Sequence, residues 1–454
     1  MSRIRLPFRG DSVRVMLGHE SGLVHSTTFF LTATLSPTPV KILIYCINFA
    51  PELTGIGKYT GEMAAWLAAR GHAVRVVAAP PYYPAWQVGA GYSRLSWRRE
   101  QWQGAEVWRC PLWVPERPGG IKRVLHLASF ALSSLPVMLR QLLWLPDAVW
   151  VVEPPLFGAP AALAVARLSG ARAWLHISDY EVDAAFDLGL LKGKTLKRVV
   201  LAAEHWLMRR FDVVSTVSQR MLERALSKGV DPERLVAFPN WVDVGSFISA
   251  SGQAYRDELG IPSDAVVALY SGNMGRKQGL EIMAQVAQSC AEQRQGSDRL
   301  WFVFCGNGVG RADLLAQCEG IPNVRFLDLQ PAARLPDLLA MADIHLMPQR
   351  AGAADLVMPS KLTGMLASAR PVVATALAGT ELANVVQMCG LVVPPEDAAA
   401  MTCAVLELAA NASWREQLGQ AGRNHAVHQI DRESVLQRFE KSLADIPEGA
   451  VEQL

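Results

Sequence analysis

Short apolar runs that each lead through a glycine-bearing turn into a helix recur along this chain, and they leave few folds open. KILIYCINF (41–49) precedes TGIGKYTGEMAAWLAARG (54–71), and HAVRVVAA (72–79) follows. Strand, glycine turn, helix and strand again is the grammar of a parallel sheet covered by helices. DAVWVVE (147–153), RAWLHIS (172–178) and DVVSTVS (212–218) extend it. The pattern restarts at DAVVALYSG (264–272) and runs through RLWFVFCG (299–306), VRFLDL (324–329), DIHLMP (343–348), PVVAT (371–375) and GLVVP (390–394). The expected architecture is α/β, with two Rossmann-like, doubly wound parallel-sheet domains at 41–239 and 264–425. A linker is expected at 240–263, and a C-terminal helix at 426–446 is expected to pack back on the first domain. Ligands of such sheets sit beyond the strands' C-terminal ends, so the two domains should face each other across a cleft.

The chain has 454 residues, half of them apolar and 19% charged, which suits large cores rather than global disorder. A net charge of +2 disfavours a general polyanion binder, so nucleic acid is not an expected partner and any anion must be met locally. The seven cysteines are scattered and never spaced as CxxC, which argues against zinc or a disulfide framework and for a reducing compartment. Residues 1–40 carry Arg3, Arg5, Arg9 and Arg14 ahead of a Ser/Thr-rich run ending in Pro37 and Pro39. They read as a disordered extension or an overlong start, with Met16 as another initiator, rather than as a signal peptide. VLHLASFALSSLPVML (124–139) contains Pro136 and is too short for a confident membrane span. It reads as a mostly buried helix or one that docks on a membrane. Residues 191–210 hold Lys192, Lys194, Lys197, Arg198, Arg209 and Arg210 against one acid, Glu204. This stretch is either a solvated helical face or an amphipathic surface for an anionic membrane.

Four stretches could carry chemistry. In TGIGKYTGE (54–62), Gly55 and Gly57 stand where the first strand becomes a helix, where free amides can meet phosphate or sugar. A tight turn without ligand is the competing reading. Thr60 stands where a dinucleotide fingerprint needs its third glycine, and no acid ends the next strand, so NAD is disfavoured. SGNMGRKQG (271–279) repeats the turn with Gly272, Asn273 and Gly275 and adds Arg276 and Lys277, which suit a diphosphate or a solvated turn. CGNGVGR (305–311), with Gly306, Asn307 and Gly308, could border a nucleotide's base or ribose. PSKLTGMLASARPVVAT (359–375) puts Ser360 at a helix N-cap and Lys361 in the first turn. The helix field disfavours a cation there by roughly 0.3–1 kcal/mol, so an external anion is expected beside it. In the first domain, HISDYEVDAAFDLG (176–189) clusters His176, Ser178, Asp179, Glu181 and Asp183 at a strand end. Such a cluster could orient a sugar, handle a proton or be a solvated loop. No HExxH or His/Cys set points to a metal, and no GxSxG elbow to a hydrolase.

With these residues in view, the chain from about Lys41 to Arg438 resembles bacterial glycosyltransferases of the GT-B, GT4-like group. PELTGIGKYTGEMAAWLAARGH (51–72), YSGNMGRKQGLE (270–281), VFCGNGVGR (303–311), ADIHLMPQ (342–349), PSKLTGMLASARPVVAT and GTE (379–381) carry the resemblance. APPYYP (79–84), WRCPLWVP (108–115) and LHISDYEVDAAF (175–186) are similar to the colanic-acid fucosyltransferase type. The resemblance implies transfer of a hexose, with fucose from GDP-fucose the best guess, from a nucleotide-diphosphate donor. It implies retention at the anomeric carbon, no cofactor and no required metal. Arg276 and Lys277 would act on the donor diphosphate, with Gly272, Asn273, Gly275, Gly306, Asn307, Gly308, Asp355, Ser360, Lys361 and Glu381 as donor-binding candidates. Asp179, favoured over His176, would take the first domain's polar catalytic position. Gly55, Gly57, Lys58, Tyr59, Glu181 and Asp183 would hold the acceptor. That acceptor is expected to be a lipid-linked sugar, met by a cytoplasmic protein peripheral to the inner face of the bacterial inner membrane. Relatives carry two glutamates eight positions apart; alignment on Pro371–Val373 puts the second at Gly364 and the first at Leu356, with Asp355 the nearest acid. A nucleotide-sugar epimerase and a non-catalytic nucleotide-sugar-binding subunit are the alternatives.

Overall fold

The computed structural model describes residues 38–116, 120–153, 156–180, 194–275, 278–292, 299–351 and 359–444. The first sheet comprises β1 (Lys41–Tyr45), β2 (Ala73–Ala78), β3 (Arg98–Trp102), β4 (Ala105–Arg109), β5 (Ala148–Glu153), β6 (Arg172–Ile177), β7 (Val213–Thr216) and β8 (Leu235–Ala237). Their order is β3-β4-β2-β1-β5-β6-β7-β8, and only the β3–β4 pair is antiparallel. The second sheet holds β9 (Val266–Ser271), β10 (Leu300–Cys305), β11 (Val324–Leu327), β12 (Ile344–Met347), β13 (Val372–Thr375) and β14 (Gly390–Val393). It is wholly parallel in the order β11-β10-β9-β12-β13-β14.

Continuous apolar runs mark the central strands because both faces are covered. On β1, Leu43 and Tyr45 join one core with Val149 and Leu175, while Ile42 and Ile44 join the opposite core with Val74 and Trp174. Strand order reverses between β1 and β5 in the first sheet and between β9 and β12 in the second. These switch points open the crevices where ligands of such sheets bind.

Two features depart from expectation. The β3–β4 hairpin was not anticipated, because RREQW is charged and mostly solvent-facing. Gln103 (φ 44°) and Gly104 (φ 90°) close it, the paired positive φ that a tight two-residue hairpin turn demands. The linker expected at 240–263 is also shorter than read. Within it the helix Gln253–Leu259 belongs to the second domain, burying Tyr255 among Leu269, Leu338 and Met341. Val242 and Val244 likewise join a core with Leu362 and Ile430.

Helix α1 (Gly55–Ala69) follows β1, and helix α2 (Gly120–Arg140) precedes β5. The helix Arg432–Ala444 lies against the first sheet, with Leu436 and Phe439 packed beside Trp150 and Trp174. Glu440 anchors it to Arg70 at 2.7 Å and His72 at 2.8 Å. The chain's two crossings between the sheets pair with each other: Val242 donates to Ile430 O, and Arg432 donates to Val242 O, both at 2.9 Å.

Candidate functional site

A cavity of about 290 Å³ opens beyond the C-terminal ends of β1, β5 and β6 and is closed on one side by Ser360 of the second domain. Its walls are largely aromatic: Tyr59, Tyr82, Tyr83, Trp86, Trp150, Phe238 and Trp241 contribute. His176, Ser178, Asp179 and Arg123 are among its polar lining residues. Aromatic faces with a few polar groups suit a sugar, whose C–H faces stack while its hydroxyls bond.

Gly55 opens α1 in the left-handed region (φ +59°) and lines the cavity. Tyr59, one turn on, meets Trp241 edge-on at 5.0 Å. Gly57 and Lys58 are not among the lining residues. Gly57 is needed for packing, since a Cβ there would lie 2.5 Å from Glu52 Oε2. Lys58 pairs with Glu62 at 3.3 Å. Glu52 is the residue that sequence reasoning missed. Buried beneath the turn, its carboxylate accepts from the Tyr82 and Tyr83 amides at 3.0 Å and from Asn48 at 2.9 Å. It thereby ties the glycine turn to the aromatic wall. Burial raises its pKa despite these hydrogen bonds.

His176 stacks on Trp150 at 5.3 Å and its Nδ1 lies 2.9 Å from Ser215 Oγ, which also accepts from Trp174. Burial lowers its pKa to about 3, so the imidazole stays neutral near pH 7. Asp179, three residues on, lines the same cavity. Glu181 and Asp183 lie outside the described residues.

On the second domain, the turns after β9 and β10 are pressed together. Met274 donates to Asn307 O and Gly310 donates to Met274 O, both at 2.9 Å. Gly306 (φ 146°) and Gly308 (φ 149°) are glycines for this reason: a Cβ would sit 1.9 Å from Gly272 O or 2.5 Å from Met274 O. Lys361 begins the helix Lys361–Ala367, and its stem passes 3.4 Å from where a Cβ of Gly272 would be. Its ammonium is shielded from solvent, lies 4.4 Å from the Tyr270 ring centroid and meets no hydrogen-bond acceptor among the described residues. Burial lowers its pKa to about 8. Arg276, Lys277 and Asp355 lie outside the described residues.

One expectation needs correction here. Ser360 occupies the N-cap position but makes no capping bond, because its backbone is helical (φ −58°, ψ −23°) rather than extended. Glu381, a donor-side candidate, is not among the residues that line this first-domain cavity. Its carboxylate accepts from the backbone amide of Arg220 at 3.3 Å, while the Arg220 guanidinium donates to Gly379 O, so this segment binds the first domain. At Gly364 a Cβ would stand 2.9 Å from Leu339 Cδ1, so the position accepts no glutamate unless Leu339 moves. Among the described residues no group of three His, Cys, Asp or Glu converges as a metal site.

Two doubly wound sheets, each with a switch point beside glycine-rich turns, define the GT-B class of glycosyltransferases. A model of the "Glycosyl transferase 4-like domain" matches residues 54–241, and one of "Glycosyl transferases group 1" matches 265–411. A colanic acid biosynthesis glycosyl transferase, as WcaI of Escherichia coli (strain K12) is named, is 44% identical over 414 residues, covering 88% of this chain and 98% of that protein. Sucrose-phosphate synthase from Thermosynechococcus elongatus superposes with a TM-score of 0.68 at 16% identity, covering 88% of this chain and 98% of that one. Anabaena HepE in complex with UDP does so with a TM-score of 0.65 at 15% identity, covering 89% and 100%. This chain belongs to the GT4-like family of GT-B glycosyltransferases.

Proposed function

We propose that this protein transfers a hexose from a nucleotide-diphosphate donor to a lipid-linked oligosaccharide during assembly of a colanic-acid-like extracellular polysaccharide. Fucose from GDP-fucose is the leading donor, the anomeric configuration is retained, and no metal is required. The protein works as a peripheral protein on the inner face of the inner membrane. The observation that carries the reading is Lys361. A shielded ammonium with no acceptor among the described residues is costly, and the cost is explained if a ligand anion completes the site. Placed beside the second sheet's switch point, it would meet the donor's diphosphate. As the glycosidic bond to phosphate breaks, that diphosphate gains charge, and a preformed cation stabilises the transition state more than the ground state. The aromatic cavity, with Asp179 and neutral His176, would hold the acceptor sugar opposite. The 44% identity to the WcaI protein supports the polysaccharide context.

Incubation with GDP-fucose or UDP-sugars and a bacterial membrane lipid extract, in EDTA, tests this. Sugar appearing in the organic phase by mass spectrometry, with the donor's anomeric configuration by NMR, is the expected outcome. An isomerised nucleotide sugar formed without lipid would identify an epimerase instead. Gly364, packed where relatives carry glutamate, favours one further reading: a donor-binding subunit, which would bind nucleotide and never turn over.

A further inference from the structure

Helix α2 serves two environments. Its outward stripe is apolar and open: Ile121 (74% exposed), Leu125, Leu132 (72%), Leu135 and Leu139. At ~100° per residue these positions fall within about 40° of one line along the helix. The stripe runs on into Leu143, 86% exposed. Trp97 and Trp113, both exposed, border it: Trp97 donates to Ser133 O at 2.9 Å, and Trp113 N–H to Ser129 Oγ at 3.1 Å. The helix contains no acid, and Lys122 and Arg140 are exposed near its two ends. An apolar stripe flanked by tryptophan and cations suits an anionic bilayer interface better than bulk water. On the opposite side of the same helix, Arg123 reaches the cavity wall, its guanidinium 5.5 Å from the centroid of Trp86.

We propose that α2 lies in the bilayer interface by its outer stripe and that Arg123 binds the diphosphate of a prenyl-diphosphate-linked acceptor as it enters the cavity. This rests on the lipid-linked acceptor proposed above and names its anionic group. An isoprenoid diphosphate keeps its chain in the membrane and its phosphates at the headgroup level. One helix diameter, about 10 Å, separates the stripe from the cavity side, so the phosphates reach Arg123 while the chain stays in lipid. The planar guanidinium fork matches phosphate oxygens bidentately. Sugars beyond the diphosphate then extend over Tyr82 and Trp86.

Farnesyl diphosphate is the probe, titrated by calorimetry, with farnesol and inorganic diphosphate as controls and UDP and GDP binding measured on the same samples. The parent should bind farnesyl diphosphate in preference to farnesol. Arg123→Ala should lose at least tenfold, with partial rescue by Arg123→Lys and nucleotide binding as in the parent. Equal affinity in Arg123→Ala and parent, or no preference for the diphosphate over farnesol, would overturn the assignment. Nucleotide binding without farnesyl diphosphate binding would sink this inference alone; absence of nucleotide binding would sink the donor reading. Flotation with phosphatidylglycerol vesicles tests the stripe. The parent should float, and Leu132→Asp/Leu139→Asp should stay in solution; flotation of both, or of neither, refutes insertion by α2.

Discussion

Replacing Lys361 with methionine should move stability and ligand affinity in opposite directions. The ammonium is buried without an acceptor among the described residues, and burial lowers its pKa from 10.5 to about 8. At 1.36 kcal/mol per pKa unit this displacement corresponds to ~3 kcal/mol of unfavourable burial at neutral pH. Because the folded pKa is depressed, the unfolded chain binds more protons between pH 8 and 10.5, so this contribution to stability improves as pH rises through that window. Methionine keeps the volume and removes the charge, so the unliganded protein should gain ~1–3 kcal/mol at pH 7, allowing for relaxation around the lysine. A hydrogen bond to a charged group contributes roughly 1.5–3 kcal/mol, so nucleotide-diphosphate affinity should fall by roughly 10- to 150-fold. Urea denaturation of the unliganded proteins and calorimetric titration with GDP and UDP measure the two effects. Parent affinity should weaken above pH 8 and the variant's should not. A destabilised variant, or one with parent affinity, would refute the assignment of Lys361 to a ligand anion.

Three other changes probe the architecture. Glu52→Gln keeps one acceptor for the Tyr82 and Tyr83 amides but turns an amide towards Asn48, so it should cost about 1–3 kcal/mol in urea denaturation. The same variant should raise the KM for acceptor with little change in nucleotide Kd, because it loosens the aromatic wall and not the second domain. Gly306→Ala would set a Cβ 1.9 Å from Gly272 O at φ 146°, so a loss of about 3 kcal/mol or more is expected from thermal or chemical unfolding. His176 should remain neutral from pH 5 to 8, its pKa lowered to about 3 by burial, so its imidazole resonances should not titrate in that range.

How much of this was legible in the sequence depended on how local each signal was. Parallel strands buried on both faces leave unbroken apolar runs, so VVALYS and LWFVFC announce themselves. An edge hairpin such as RREQW–QG–AEVWR exposes one strand and pairs Arg109 with Glu100, so it reads as polar loop. QAYRDEL likewise reads as linker, although buried Tyr255 and half-buried Leu259 commit the helix to the second core. Glycine turns were visible, but their reasons were mixed. Gly55 serves a left-handed turn on the cavity, whereas Gly306 and Gly308 serve contact between two backbones. The cavity wall was the least legible part. Tyr59, Tyr82, Trp86, Trp150, Phe238 and Trp241 come from four separate segments, and only the fold gathers them. APPYYP and PELTG were visible as motifs, yet nothing in their spacing says that Glu52 joins one to the other.

The central claim is that the second domain holds a nucleotide diphosphate, and a thermal-shift panel tests it most directly. Purified protein is heated with GDP-fucose, UDP-glucose, GDP, UDP and NAD, each over a concentration series. A ligand at 100 times its Kd adds about 2.7 kcal/mol, a visible rise in Tm. The account predicts stabilisation by nucleotide diphosphates and their sugars, strongest for the guanosine series, with NAD inert and the shift reduced in Lys361→Met. No stabilisation by any guanosine or uridine nucleotide would contradict it.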